Sequence, residues 1–349
     1  MRVVVIGATG NVGTSVMQAL SADPRFDDLV AVARRRPRLG FPGATFVAAD
    51  VVTNQLTDLL RGADAVICLA WLIQPGRDES VTRAVNVTGS ERVFRAAAEA
   101  GVPALLYASS VGAYSAGPKD RFVDESWPTD GTPSSFYARH KALVERSLDR
   151  LERERPGLRV VRMRPGLIFK REAATEIRRL FAGPFLPGSL LRPGLIPVVP
   201  DLPRLRFQAV HSLDVGEAFR LAVLSDARGA FNLAADPVIG PAELSDIFDA
   251  RRIKLPAGPV RALAAAAYAL RLQPSEPGWL DLALAVPLMD SSRARRELGW
   301  TPRHSARAAL TELLAGMRDG SDLDTPPLAR EVSGPGRLRE LLTGVGGRE

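Results

Sequence analysis

Val3-Val4-Val5-Ile6-Gly7-Ala8-Thr9-Gly10-Asn11-Val12-Gly13 stands at the start of the chain. The break from a β-branched run into glycines, followed by an apolar period at Val12, Val16 and Leu20, predicts a strand, a tight turn and a helix. Such a turn sets the free amides of a helix N-terminus against phosphate oxygens. Gly7 permits the turn, Gly10 lets the backbone approach a pyrophosphate, and Gly13 lets the helix pack closely on the sheet. Gly7, Thr9, Gly10, Asn11, Val12 and Gly13 are therefore the expected dinucleotide-binding residues.

Further apolar runs at Leu29 to Ala33, Thr45 to Val47, Ala65 to Leu69, Ala104 to Ala108 and Arg159 to Met163 read as strands, most of them too apolar for a sheet with one wet face. Helical stretches fall near 12 to 20, 78 to 100 and 135 to 154. The alternation predicts an α/β fold with a doubly wound parallel sheet. At 349 residues the chain can bury one substantial core or two smaller ones.

The formal charge of +7 comes largely from arginine. Those arginines are scattered through amphipathic segments without a recognition motif, so nucleic acid is not an expected partner. Cys68, the one cysteine, sits in an apolar strand pattern and is expected in the core; no disulfide frame or thiolate metal site follows. His140, His211 and His304 lie far apart, which argues against a histidine-rich metal site. No window has the apolar length of a membrane span, and Val260 to Leu272, with Arg261 and Arg271, reads as a packed helix. The immediate entry into a strand argues against a cleaved signal peptide, giving a cytoplasmic expectation. From about Asp319 to Glu349, charges, glycines and prolines predict a loosely held tail with helical content at Leu338 to Leu342.

Tyr137 and Lys141 stand four apart behind Ser109-Ser110. A phenol with a pKa near 10 is a poor base at neutral pH, and Lys141, one turn along the same helix face, is placed to supply the cation that would lower it. A nucleotide site combined with a group able to move a proton points to redox chemistry on an alcohol or ketone.

These features make the chain resemble the extended short-chain dehydrogenase/reductases, over residues 1 to about 315. The residues that carry the resemblance are the glycine loop, Asp50, Leu69-Ala70, Asn86-Val87-Thr88-Gly89, Ser109-Ser110 with Tyr114, Tyr137-Ala138-Arg139-His140-Lys141, Arg164-Pro165-Gly166 and Val210-His211-Ser212-Leu213-Asp214-Val215. The resemblance implies a Rossmann-type cofactor domain of residues 1 to 165, completed by about 208 to 235 with Asn232-Leu233-Ala234 as a return strand. It also implies a smaller substrate-binding lobe of 166 to 207 and 236 to 315. Pro184, Pro187, Pro193, Pro197, Pro200 and Pro203 independently forbid a long regular element there.

The same resemblance implies site roles. Tyr137 exchanges a proton with the substrate oxygen, Lys141 holds the nicotinamide ribose, and Ser110, four residues before Tyr114, polarises the substrate oxygen. The glycine expected after that tyrosine is replaced by Ser115, and Ser109 is the adjacent competitor. Asn86 corresponds to a helix asparagine near the nicotinamide, and Val51, Leu69, Ala70 and Pro165 fall at cofactor-binding positions. Asp50 matches an acceptor for the adenine amino group, with a cap near Asn54 as its alternative role. NAD-binding members place a carboxylate at the end of the second strand. Here Ala33 is followed by Arg34, Arg35 and Arg36, whose guanidinium groups suit a 2′-phosphate, so NADP is expected ahead of NAD. His211 is expected to be structural.

Three functions compete at this stage. They are an NADP(H)-dependent oxidoreductase interconverting a ketone and a secondary alcohol, a nucleotide-sugar epimerase with retained NAD, and a non-catalytic NAD(P)-binding sensor or scaffold. The intact Ser110, Tyr137 and Lys141 set argues against the third. Where sugar-nucleotide enzymes carry a diphosphate-binding arginine this chain has Phe207, with Arg206 one residue off. Leu180-Phe181, Pro184-Phe185-Leu186-Pro187, Leu190-Leu191 and Leu195-Ile196 suggest an apolar substrate pocket. Val111 and Gly112 replace the acid that a sugar dehydratase would use. Ala96, Ala97, Ala100, Leu143, Val144 and Leu148 are candidates for a homodimer seam, although packing on the sheet would use the same residues.

Overall fold

The computed structural model describes residues 1–73, 78–181, 196–271, 273 and 275–328. Seven parallel strands form its main sheet: β1 (Arg2–Ile6), β2 (Asp28–Ala33), β3 (Ala44–Ala48), β4 (Ala65–Cys68), β5 (Ala104–Ala108), β6 (Arg159–Pro165) and β7 (Gly229–Leu233). Their spatial order is β7-β6-β5-β4-β1-β2-β3. The chain begins in the middle, winds out to β3 and then crosses back to β4. The glycine turn after β1 thus lies where the winding reverses, the place at which such sheets bind ligands.

Strand alternation sorts the core between two faces. Val3, Val5, Ala31, Ile67 and Leu106 meet α1 (Asn11–Ser21) and a later helix, Ser212–Leu224, through Val16, Met17, Leu20, Val215 and Phe219. Val4, Ile6, Val30, Val66 and Leu105 meet α2 (Ser90–Glu99) and α3 (Phe136–Glu154) through Val93, Phe94, Ala97, Val144 and Leu148. Covering both faces is what such uniformly apolar strands require. Each large aliphatic side chain taken fully from water contributes about 1.5–3 kcal/mol. Cys68 is fully buried in β4, as its apolar setting predicts.

After Pro165 the chain leaves the main sheet. Leu167–Phe169, Phe207–His211 and Ala235–Ile239 form a separate three-stranded sheet, and β7 returns between the last two to pair with β6. Trp300, fully buried, donates its indole N–H to the Asp214 carbonyl, and the Asp214 carboxylate accepts from the Arg303 and His304 amides. This fastens the late chain to Ser212–Leu224. His211 caps the same helix by accepting from the Leu213 amide at 3.1 Å, a structural use of its ring.

Some expectations change. The helical stretch near 78 to 100 contains a π segment, Ala84–Gly89. Ala257–Ala269 is a helix but none of its residues is fully buried, and Leu263 is 72% exposed; its many alanines present little side chain to pack. Ala96, Ala97, Val144 and Leu148 are buried by the chain's own sheet, so those four offer no separate seam to a second copy. Of the expected loose tail, residues 320–328 are held, with Thr325 and Leu328 buried and the Leu39 amide bonded to the Asp324 carbonyl. Residues 329–349, the proline-rich stretch 182–195 and its apolar runs lie outside the described residues.

Candidate active site

The glycine turn is built as a cradle. Gly7 has φ +88°, and a Cβ there would lie 2.8 Å from the backbone of Leu69 and Ala70 at the end of β4. A Cβ on Gly13 would lie 2.1 Å from the Gly7 carbonyl oxygen, so the close approach it permits is between α1 and the turn itself. A Cβ on Gly10 would meet nothing nearer than that oxygen at 3.7 Å, which leaves its flank open. Gly10 forms the N-cap of α1 without any side-chain cap, and the first turn carries no acid. Uncapped amides, an open flank and no competing carboxylate fit a pyrophosphate. Thr9 is buried beside them, and Asn11 reaches the Ile168 carbonyl at 3.3 Å.

Beyond β2, Arg34, Arg35 and Arg36 are exposed, and Arg36 lies over the Phe46 ring. Asp50 follows β3. Its carboxylate accepts from the Val52 amide at 2.8 Å, while its own amide donates to Asn54, so it shapes the turn that carries buried Val51. Asn86 lies in the π segment, fully buried, and its amide clasps Leu72, accepting from the amide at 2.7 Å and donating to the carbonyl at 3.0 Å. Both ends are committed to the backbone of the loop after β4. Asn86 therefore holds that loop in place, and its side-chain amide is engaged with backbone. Pro165 ends β6 beside Leu233 of β7.

Ser110, Tyr137 and Lys141 come together. Ser110 is the N-cap of a short 3₁₀ turn after β5, its Oγ accepting from the Gly112 amide at 3.0 Å. Tyr137 opens α3, capped by Ser135, and burial raises its hydroxyl to about 12 despite a hydrogen bond with Ser110 that lowers it. Lys141 is buried, and burial lowers its amine to about 7. Its Nζ donates to the Ala108 carbonyl at 2.7 Å and the Tyr107 hydroxyl at 3.2 Å, with the Trp71 ring centroid 3.5 Å away. The expected lowering of the phenol by Lys141 is not found. A buried ammonium is driven to acceptors, and Nζ stays 5.9 Å from the Tyr137 ring centroid.

Glu145, Trp71 and Trp279 also lie at the site and had not been singled out in the sequence. Glu145, one turn past Lys141, is buried against Arg164 and Arg162 and accepts from the Ser109 hydroxyl. Burial would raise its carboxyl, but the bond and charge of Arg164, aided by Arg162 and Ser109, outweigh this and hold it at about 2. Tyr114 donates to Asn232 of β7 and accepts from Arg164, joining three strands' ends. The i, i+4, i+8 series Tyr137, Lys141, Glu145, opposite the alternating Arg162 and Arg164, is a signal readable in the sequence. Gly112 matters because a Cβ there would lie 2.8 Å from Tyr137 Cε1. Trp71 stands edge-on to the Tyr137 ring at 5.8 Å and Trp279 lies tilted against it at 5.1 Å.

A doubly wound sheet with a glycine cradle at its switch point is the architecture of a dinucleotide-dependent enzyme. The chain belongs to the NAD-dependent epimerase/dehydratase family, whose model matches residues 3–184. It is 27% identical over 321 residues to Rv2047c, an uncharacterized protein of Mycobacterium tuberculosis, covering 91% of this chain but spanning only 30% of that relative's length. It is 26% identical to 4-hydroxy-2-methyl-3-oxo-4-farnesyl-3,4-dihydroquinoline-1-oxide ketoreductase of Stigmatella aurantiaca, over 90% of this chain and 96% of that one. Among solved structures, UDP-glucose-4-epimerase from Stenotrophomonas maltophila with bound NAD superposes with a TM-score of 0.68 at 21% identity, covering 92% of this chain and 98% of that one, a likeness of fold. Among the described residues no helix is long and apolar enough to cross a membrane, and no cluster of His, Cys, Asp or Glu is arranged to hold a metal ion.

Proposed function

We propose that this chain reduces a ketone to a secondary alcohol, or runs the reverse reaction, with NADP(H) and through Ser110, Tyr137 and Lys141. The observation that carries the reading is the convergence of the Tyr137 ring and the Ser110 hydroxyl at Gly112, with the indoles of Trp71 and Trp279 packed on that ring. When bound, the reduced nicotinamide supplies the hydride for the carbonyl carbon. Ser110 donates a hydrogen bond to the substrate oxygen and fixes it beside Tyr137, which delivers the proton that oxygen needs as the carbon–oxygen double bond becomes single. Lys141, buried beside this pair with its amine lowered to about 7, is able to exchange protons at working pH. Asn86 sets the loop that carries Trp71 by holding its neighbour Leu72.

NADP is favoured because Arg34 and Arg35 stand exposed where a carboxylate would grip a ribose diol. A sugar diphosphate is disfavoured because the Arg206 guanidinium donates to the Lys119 carbonyl at 2.7 Å and Phe207 follows it. The Stigmatella relative is named as a ketoreductase, which supports the same chemistry. The test is to denature the purified protein, identify any released nicotinamide, and then supply NADPH with ketones or sugar nucleotides. Oxidation of NADPH by ketones is expected. Stoichiometric bound NAD with redox-neutral conversion of a sugar nucleotide would overturn the proposal in favour of an epimerase.

A further inference from the structure

Around Tyr137 the described side chains are aromatic and aliphatic to an unusual degree for a site that would hold a polyhydroxylated substrate. Tyr137 and Trp279 pack with Val111, Ala138, Leu282 and Val286. Trp71 stands edge-on to Tyr137 with interplanar angle 76°, while Trp279 lies at 35° to the same ring. All three residues are only partly buried.

Trp279 is rigidly presented. Glu276, three residues earlier, accepts from the Phe136 amide at 2.9 Å, capping the start of α3. Gly278 lies so close to the Ser134 carbonyl that a Cβ would fall 2.3 Å from its oxygen. Phe136 stands edge-on to Trp279 at 6.3 Å and 88°. Trp71 is likewise held, its indole on the Lys141 ammonium and its neighbour Leu72 clasped by Asn86. An indole fixed before binding loses little freedom when a flat partner stacks on it, and offset stacking adds to simple burial.

We propose that Trp71 and Trp279 form an aromatic slot beside Tyr137 that selects a flat, ring-bearing ketone of the aryl class, its carbonyl oxygen on the Ser110 and Tyr137 hydroxyls and its ring against Trp279. The proposal rests on reading Ser110 and Tyr137 as the pair that handles the substrate oxygen. Trp279 then determines specificity without touching the reacting atoms. A saturated ring of the same carbon count fills similar volume but lacks the π face, so the difference between the two reports the slot.

The experiment uses the full chain with 2-acetonaphthone and its saturated decalin counterpart. Binding is followed by calorimetry in the presence of NADP⁺, and turnover by NADPH oxidation. The parent is expected to bind the naphthyl ketone about tenfold more tightly. Trp279→Leu should weaken the naphthyl ketone by about tenfold and the decalin ketone by only about twofold, and Trp279→Phe should restore most of the preference. Equal binding of the two ketones by the parent, or equal weakening of both in Trp279→Leu, overturns the slot. If Trp279→Leu does not fold, the parent and Trp279→Phe comparison decides. The two proposals fail separately. Naphthyl-selective binding without oxidation of NADPH by any ketone keeps the slot and sinks the reductase, whereas equal reduction of both ketones sinks the slot and keeps the reductase.

Discussion

Glu145 grips Arg164 through two parallel contacts of 2.9 Å, Nε to Oε1 and Nη2 to Oε2, with both side chains buried. This pair bolts α3, and with it Tyr137 and Lys141, to β6. Removing one partner of a buried pair leaves the other charge without compensation and costs about 3–5 kcal/mol. Glu145→Gln is therefore expected to lower stability by that order in urea unfolding. The acid dependence follows from a carboxyl held at about 2 against an ordinary 4.5. Its contribution is complete above pH 4.5 and is lost as the pH falls toward 2, so the gap between parent and variant should narrow in acid. A gap that stays constant would refute this account.

Gly112→Ala tests the seat of the Tyr137 ring. The new Cβ would sit 2.8 Å from Cε1 and 3.1 Å from Cδ1, and the ring, flanked by Trp71 and Trp279, has little room to yield. Turnover should fall by about a hundredfold with NADP⁺ affinity retained.

Tyr137→Phe keeps the ring and removes the proton. Turnover should drop by roughly two to four orders of magnitude, while calorimetry still detects cofactor. Near-normal activity in this variant would dismiss Tyr137 as the proton donor.

Arg34→Ala combined with Arg35→Ala removes two guanidinium groups from the end of β2. NADPH should bind at least about tenfold more weakly with NADH hardly affected, since charge-assisted bonds contribute about 1.5–3 kcal/mol. Equal loss for both cofactors would show that the arginines do not read the 2′-phosphate.

Three buried lysines give the chain an alkaline slope. Burial, with Arg204 and Arg206 nearby, lowers Lys119 to about 7; burial also lowers Lys141 to about 7 and Lys170 to about 8, against an ordinary 10.5. Between those values and 10.5 the unfolded chain binds more protons than the native one, so stability rises with pH; below about 7 this contribution is flat. The thermal midpoint should climb from pH 7 to 9, and Lys119→Met should climb less. An equally steep profile in the variant would contradict the assignment.

Much of the sheet was legible because its strands are apolar on both faces, and Ala104–Ala108 has the bounds its sequence suggests. The glycine turn was legible because Gly7 and Gly13 each answer a local steric demand. Lys141 was only half legible. Spacing places it on the face of Tyr137, but the direction of Nζ depends on Ala108, Tyr107 and Trp71, which converge only in three dimensions. The clasp of Asn86 on Leu72 was not legible, because no residue pattern announces the π segment that turns its amide there. Trp279 was invisible as a neighbour of Tyr137 because the contact joins distant parts of the chain.

The late arrival of β7 affects how the protein must be made. Until Gly229–Leu233 has emerged from the ribosome, β6 is the naked margin of a sheet, with the backbone groups that β7 will engage left open along Val161 to Pro165. An open margin of that kind templates pairing with another chain. A chain that ends before Gly229 would therefore be prone to self-association even though its nucleotide cradle is fully encoded. The later sequence acts, in this respect, as an internal safeguard against aggregation.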